Sequence, residues 1–146
     1  MGKQGGPRAM IVPYDGSEHS DDALKFAIRI AEKMEFKIVL VNVQPNIQTA
    51  NVQRFFSKEE VENYSKERGI EVLAQTDAMT EKTLAPVEKA IRIGNAQTEI
   101  CKLAKELDAY CIIMGSRGRS PLKGAVLGSV SYGVLHNAPC PVTIVP

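Results

Sequence analysis

Apolar residues along this chain fall into short continuous runs, separated by longer stretches in which they recur every third or fourth position, and the two patterns alternate. The run Ala9 to Tyr14 ends at Asp15-Gly16-Ser17, which predicts a buried strand stopping at a turn. Leu24, Ala27, Ile28 and Ala31 then repeat at i, i+3, i+4, i+7, the single apolar stripe of a helix capped by Ser17 or Ser20 and ending near Phe36. Lys37 to Val43 is a second strand, closed by Pro45. Strands this continuously apolar have both faces covered, as in a parallel sheet.

Gln44 to Phe56 shows no period and reads as a loop. Ser57 with Glu60 forms a capping box that opens a polar helix reaching about Thr80, with Gly69 in its middle. Pro86 to Ile93 is a third strand, and after Gly94-Asn95 the positions Ile100, Leu103, Ala104 and Leu107 mark another helix. Tyr110 to Met114 is a fourth strand, followed by a Gly/Ser/Arg loop, a helix over roughly Gly124 to Asn137, and a closing strand from Pro141 to Val145. Five strands alternating with four helices predict an α/β fold: a doubly wound, Rossmann-like parallel sheet of order 3-2-1-4-5 built by right-handed crossovers. In that order the winding reverses between the first and fourth strands, and ligands bind there, outside the carboxyl ends of the strands. Asp15 ends the first strand and Gly115 the fourth, so the two most unusual turns are expected at one place.

Length suits one domain, taken as residues 9–146 behind a Gly-rich, flexible segment 1–8. Hydrophobic residues at 44% and charged residues at 24% exclude general disorder. Eighteen basic against seventeen acidic residues leave +1, too little for a general nucleic-acid footprint, so any anion site is local. Cys101, Cys111 and Cys140 are odd in number and lack C-x-x-C spacing, which argues against a disulfide scaffold or a zinc site and fits a reducing compartment. His19 and His136 are too few for a histidine metal centre; the first reads as exposed in a helical turn, the second as a charge near a helix end. With no apolar stretch long enough for a membrane span and no signal-peptide pattern, a cytoplasmic location follows by elimination.

After the fourth strand comes Gly115-Ser116-Arg117-Gly118, then nine residues, then Gly128-Ser129. Glycines permit positive φ and let backbone N–H groups approach phosphate oxygens, and a helix starting nearby adds its positive end. The Ser129 and Ser131 hydroxyls and the Val130 amide can donate hydrogen bonds, and Arg117, Arg119 and Lys123 bring positive charge. The competing reading is that the glycines only make a turn and allow tight packing. Asp15 reads equally well as a turn or cap residue and as a ligand contact, while Cys101 and Cys111 read as core.

The motif resembles the fingerprint of the universal stress protein family in its ATP-binding branch, G-x-x-G, nine residues, then G-[ST], met at Gly115, Gly118, Gly128 and Ser129. The likeness extends from Met10-Ile11-Val12-Pro13-Tyr14-Asp15-Gly16-Ser17 through Ile112-Ile113-Met114-Gly115 to Pro141-Val142-Thr143-Ile144-Val145. It implies that Pro13, Tyr14 and Asp15 line an adenine and ribose pocket and that Val43 packs on adenine. It likewise implies that Met114 and Arg117 contact the nucleotide and that Gly115, Gly118, Gly128, Ser129, Val130 and Ser131 cradle the phosphates. Tyr14 is bulkier than the resemblance leads one to expect, so adenine packing is expected to differ. The implied cofactor is ATP, with Mg2+ or Mn2+ carried by its phosphates. The implied assembly is a homodimer through the edge strand 141–145, against a proline-protected monomer edge as the alternative, together with a regulatory protein partner. No Walker A sequence is present and no catalytic base stands out, so a nucleotide-dependent stress-response regulator with at most slow ATP hydrolysis is the first expectation. An ATP-cleaving or adenylate-transferring enzyme and a nucleotide-free dimeric scaffold are the alternatives.

Overall fold

The computed structural model describes residues 6–118 and 127–146. Strands β1 (Ala9–Pro13), β2 (Lys37–Gln44), β3 (Val87–Ile93), β4 (Cys111–Gly115) and β5 (Val142–Val145) form one parallel sheet of order β3-β2-β1-β4-β5, the doubly wound order expected. Helices α1 (Glu18–Met34), α2 (Ala50–Gln53), α3 (Lys58–Ala74), α4 (Asp77–Thr80), α5 (Ala96–Glu106) and α6 (Ser129–Asn137) complete the described chain.

The period of two along each strand divides the core into two layers. Met10, Val12, Ile38, Leu40 and Ile113 pack with Ala23, Leu24 and Ala27 of α1 and Leu73 of α3. Ile11, Val39, Val41, Ile112 and Met114 pack on the other side with Ile100, Leu103 and Ala104 of α5 and Val134 of α6. Local chemistry marks the ends of α1: the Ser17 hydroxyl accepts from the Ser20 N–H, and Glu35 closes the helix in the left-handed region at φ 54°. The Ser57–Glu60 capping box forms as its spacing predicts.

Several boundaries differ from the sequence expectation. The stretch read as a loop from Gln44 to Phe56 contains α2, capped by Thr49, whose side chain accepts from the Val52 N–H. The long polar helix expected to reach Thr80 is two helices, so six helices stand among the described residues where four were expected. The break comes where buried Thr76 turns its hydroxyl onto the Leu73 carbonyl, 2.7 Å away, satisfying an acceptor that the next helical turn would have used. Leu107, counted in the α5 stripe, is its C-cap and is 39% exposed. The last helix begins at Ser129 rather than near Gly124, and residues 124–126 lie outside the described residues.

Gly69 is tolerated mid-helix because α3 presses on β3 there: a Cβ would sit 2.7 Å from Ile91 Cγ2. A branched side chain at that place overpacks the core. Gly69→Val is therefore expected to cost about 2 kcal/mol and lower the thermal midpoint by roughly 4 to 8 °C, read from a thermal unfolding curve. Gly69→Ala should fail to give the gain of about 1 kcal/mol that helix propensity alone would supply.

Candidate functional site

The crevice exists because β1 parts from both neighbours near its end. Its register with β2 runs from Ala9↔Lys37 to Pro13↔Val41, whereas its register with β4 covers only Met10↔Cys111 and Ile11↔Ile112. Pro13, with no N–H to give, stands where β1 and β4 separate. Above that point a cleft of about 210 Å³ opens on the α5/α6 side of the sheet. It is lined by Pro13, Tyr14 and Asp15 from the end of β1, Val43 from β2, and Met114, Gly115, Arg117 and Gly118 from β4 and its loop. Gly128, Ser129, Val130 and Ser131 at the start of α6 complete the set, so all the residues singled out from the sequence meet in one place. Arg119 and Lys123, named as nearby charges, lie outside the described residues.

Ser20, Val41, Asn42, Ala96 and Ile100 also line the cleft and were not singled out. Val41 shares the parity of Val43 along β2, which would have found it. Ala96 and Ile100 arrive from α5 only through tertiary packing.

The glycines work differently from the expectation. Among the described glycines positive φ occurs at Gly16 (81°) and Gly94 (147°), and not at Gly115, Gly118 or Gly128. Gly115 is needed because a Cβ would lie 2.7 Å from His19 Cβ and 2.8 Å from the His19 backbone carbon and oxygen, where α1 crosses β4. At Gly118 a Cβ would meet Asp15 Oδ2 at 2.5 Å. Gly128 is the exception: its φ is −75°, and among the described residues the nearest atom to an added Cβ is Arg117 Cα at an ordinary 3.5 Å. Neither backbone strain nor a described neighbour requires glycine there, and it lines the cleft.

Hydrogen bonds hold this loop in shape. The Gly128 N–H donates to the Ser116 carbonyl at 2.7 Å, and the Ser116 N–H donates to the Val145 carbonyl at 3.0 Å. The Ser131 hydroxyl donates to the Gly115 carbonyl at 2.9 Å, so it braces the loop rather than offering its proton to an anion. Helix α6 has no side-chain cap, and Ser129, Val130 and Ser131 in its first turn line the cleft, where its amide end contributes partial positive charge.

Tyr14 lines the cleft from the end of β1 while its ring turns away from it. Its side chain belongs to the core layer under α1, 3% exposed, and its hydroxyl donates to Asp21 at 2.6 Å. Asp15 fills its turn role, since its Oδ1 accepts from the Ser17 N–H at 2.9 Å, while Oδ2 lies against Gly118. The Asn42 side chain donates to the Tyr14 carbonyl at 2.8 Å and accepts from Gln44 Nε2 at 2.7 Å. His19, expected to be exposed, is half-buried with its Nδ1 enclosed, because the first turn of α1 is pressed against Gly115.

The cysteines do not supply a nucleophile. Burial first, with Cys140 adding to it and Arg8 opposing it, pushes the Cys111 thiol up to about 11, and burial raises Cys101 and Cys140 as well. Cys111 is buried as expected, whereas Cys101 is only half-buried at the edge of the core. Among the described residues no three His, Cys, Asp or Glu side chains gather where they could hold a metal ion. A larger apolar groove of about 440 Å³ lies between α2 and α3 beside Val52, Phe56 and Tyr64, but polar groups do not converge in it. Its single charged lining residue, Glu60, is committed to the Ser57 cap. The cleft at the end of β1 combines apolar walls with amides and charge, which is what a ligand site needs.

The family model described as universal stress protein family matches residues 7–146. Universal stress protein MJ0531 of Methanocaldococcus jannaschii is 32% identical over 141 residues, an alignment covering 94% of this chain and 81% of that protein. Among solved structures, hypothetical protein MJ0577 superposes with a TM-score of 0.82 at 28% identity over 94% of each chain. A universal stress protein solved in complex with cAMP shares the fold at a TM-score of 0.73 and 21% identity, over 97% of this chain and 99% of that one.

Two outcomes follow from the geometry alone. Gly115→Ala, which meets backbone, should lower the thermal midpoint by several degrees, while Gly118→Ala, which meets only the end of the Asp15 side chain, should lower it much less. Iodoacetamide at pH 7.5 should label native Cys111 far more slowly than the unfolded chain, because a thiol titrating near 11 is almost wholly protonated there.

Proposed function

The chain belongs to the universal stress protein family, and we propose that it is an ATP-binding member acting as a nucleotide-dependent regulator. Gly128 carries the reading: it lines the cleft where neither its φ nor a described neighbour calls for glycine, as a position kept small for a bound ligand would. The surroundings of that space suit a nucleotide. Val41, Val43, Ile100 and Met114 offer apolar walls to a flat base, and the Asp15 carboxylate can accept from ribose hydroxyls. The first-turn amides of α6, which no side chain caps among the described residues, suit phosphate oxygens together with Arg117. An adenine nucleotide is the first class to test, since a protein of the same fold was solved with cAMP.

Mg2+ or Mn2+ would arrive on the phosphates, keeping much of its shell as water, because the described residues gather no carboxylate set of their own. Regulation is favoured over catalysis. Among the described lining residues Asp15 is the one carboxylate, and one of its oxygens already accepts from the Ser17 N–H of its turn. Occupancy would change the surface around Gly118 and Gly128 that a protein partner meets. We place the protein in the cytoplasm; no helix among the described residues is long and apolar enough to cross a membrane. The edge strand β5, partly exposed along its length, is the surface proposed for a homodimer.

The test is a thermal unfolding curve of nucleotide-stripped protein with and without Mg-ATP, for the parent and Gly128→Val. At about a hundred times its dissociation constant a ligand stabilises by roughly 2.7 kcal/mol, a rise of roughly 5 to 10 °C for a domain of this size. The rise should appear in the parent and vanish in the variant, whose own midpoint, read from the same curves without nucleotide, shows that it still folds, since a Cβ there meets the described neighbours only at ordinary contact distances. No rise in the parent at millimolar ATP would sink the nucleotide reading and leave the scaffold alternative.

A further inference from the structure

Asn42 occupies a strand position at which β2 otherwise carries Ile, Val and Leu, and it is 4% exposed. Its hydrogen bonds single it out. The rungs between β1 and β2 include Lys37 N–H to the Arg8 carbonyl and Tyr14 N–H to the Val41 carbonyl, so alternate residues of β2 from Lys37 onward face β1. The next rung of that series would run from the Val43 N–H to the Tyr14 carbonyl. The register stops at Pro13↔Val41, and the Tyr14 carbonyl instead accepts the Asn42 side-chain amide at 2.8 Å.

A carbonyl can only accept, so the NH2 of Asn42 must face Tyr14, and its oxygen is left to take the Gln44 Nε2–H at 2.7 Å. The order of donation is fixed from Gln44 through Asn42 to the Tyr14 backbone. Beyond Tyr14 the chain swings into the Asp15 turn, whose carboxylate holds the Ser17 N–H with one oxygen and abuts Gly118 with the other.

We propose that Asn42, braced by Gln44, is a positioning residue for the nucleotide site: it ends the β1–β2 ladder at Tyr14 and so sets Asp15 against Gly118. This role rests on the nucleotide reading above for its ligand, but its structural half does not. The side chain acts through the Tyr14 backbone, from the face of the sheet that also carries the Tyr14 ring.

The experiment compares the parent with Asn42→Leu, Gln44→Ala and the double variant, using two readouts. One is the dissociation constant for Mg-ATP by calorimetry; the other is residue-level amide hydrogen exchange without nucleotide. Asn42→Leu should weaken Mg-ATP about tenfold, the equivalent of one buried hydrogen bond. The Ser17 amide should exchange faster while the amides of Met10 to Val12 stay protected. Gln44→Ala should weaken binding about threefold and add nothing to Asn42→Leu, because it acts through that residue. If Asn42→Leu does not fold, Gln44→Ala alone carries the test through both readouts. Parent-like affinity together with an unchanged Ser17 amide would overturn the proposal. Should the parent itself bind no Mg-ATP, the nucleotide reading fails, and the Ser17 amide still decides whether Asn42 sets the turn.

Discussion

In a parallel sheet each backbone donor and acceptor of an inner strand must find a partner, and the place where partners run out determines where a cavity can open. Strand β1 reaches that place first. Pro13 has nothing to donate, and the register with β4 stops short of it, at Ile11↔Ile112. Tyr14 makes one more bond to β2 through its N–H and gives its carbonyl to Asn42. From there the chain leaves the sheet, and everything that lines the cleft is arranged around the gap.

Three glycines serve this gap for three different physical reasons. Gly115 lets α1 lie directly on β4, Gly118 leaves room for the Asp15 carboxylate, and Gly128 leaves room for nothing in the described chain. A shared motif therefore does not mean a shared role. The first is chiefly a packing residue, the second a meeting point of two loops, and the third the N-cap of α6 on the wall of the cleft.

Ser116 ties the cleft to the edge of the sheet. Its N–H holds the end of β5 through Val145 and its carbonyl holds Gly128 at the head of α6. The residue is buried, so both bonds are shielded from water and worth more than exposed ones would be. The loop that frames the cleft and the strand at the sheet edge thus share one rigid peptide.

The sequence by itself determined what short-range physics controls. Hydrophobic period placed five strands, the common order of a five-stranded doubly wound sheet supplied their arrangement, the Ser57–Glu60 box marked the start of α3, and the glycine spacing with Asp15 marked the loops that meet at the cleft. These signals are legible because a cap, a turn or an apolar stripe is written within a few residues. What only the tertiary structure decided depends on contacts between distant segments. Gly69 answers to Ile91 across the packing of α3 on β3, and Ile100 reaches the cleft from α5. Asn42 finds a carbonyl twenty-eight residues away. No local pattern encodes such a meeting, because its value comes from a partner that the fold alone brings into reach.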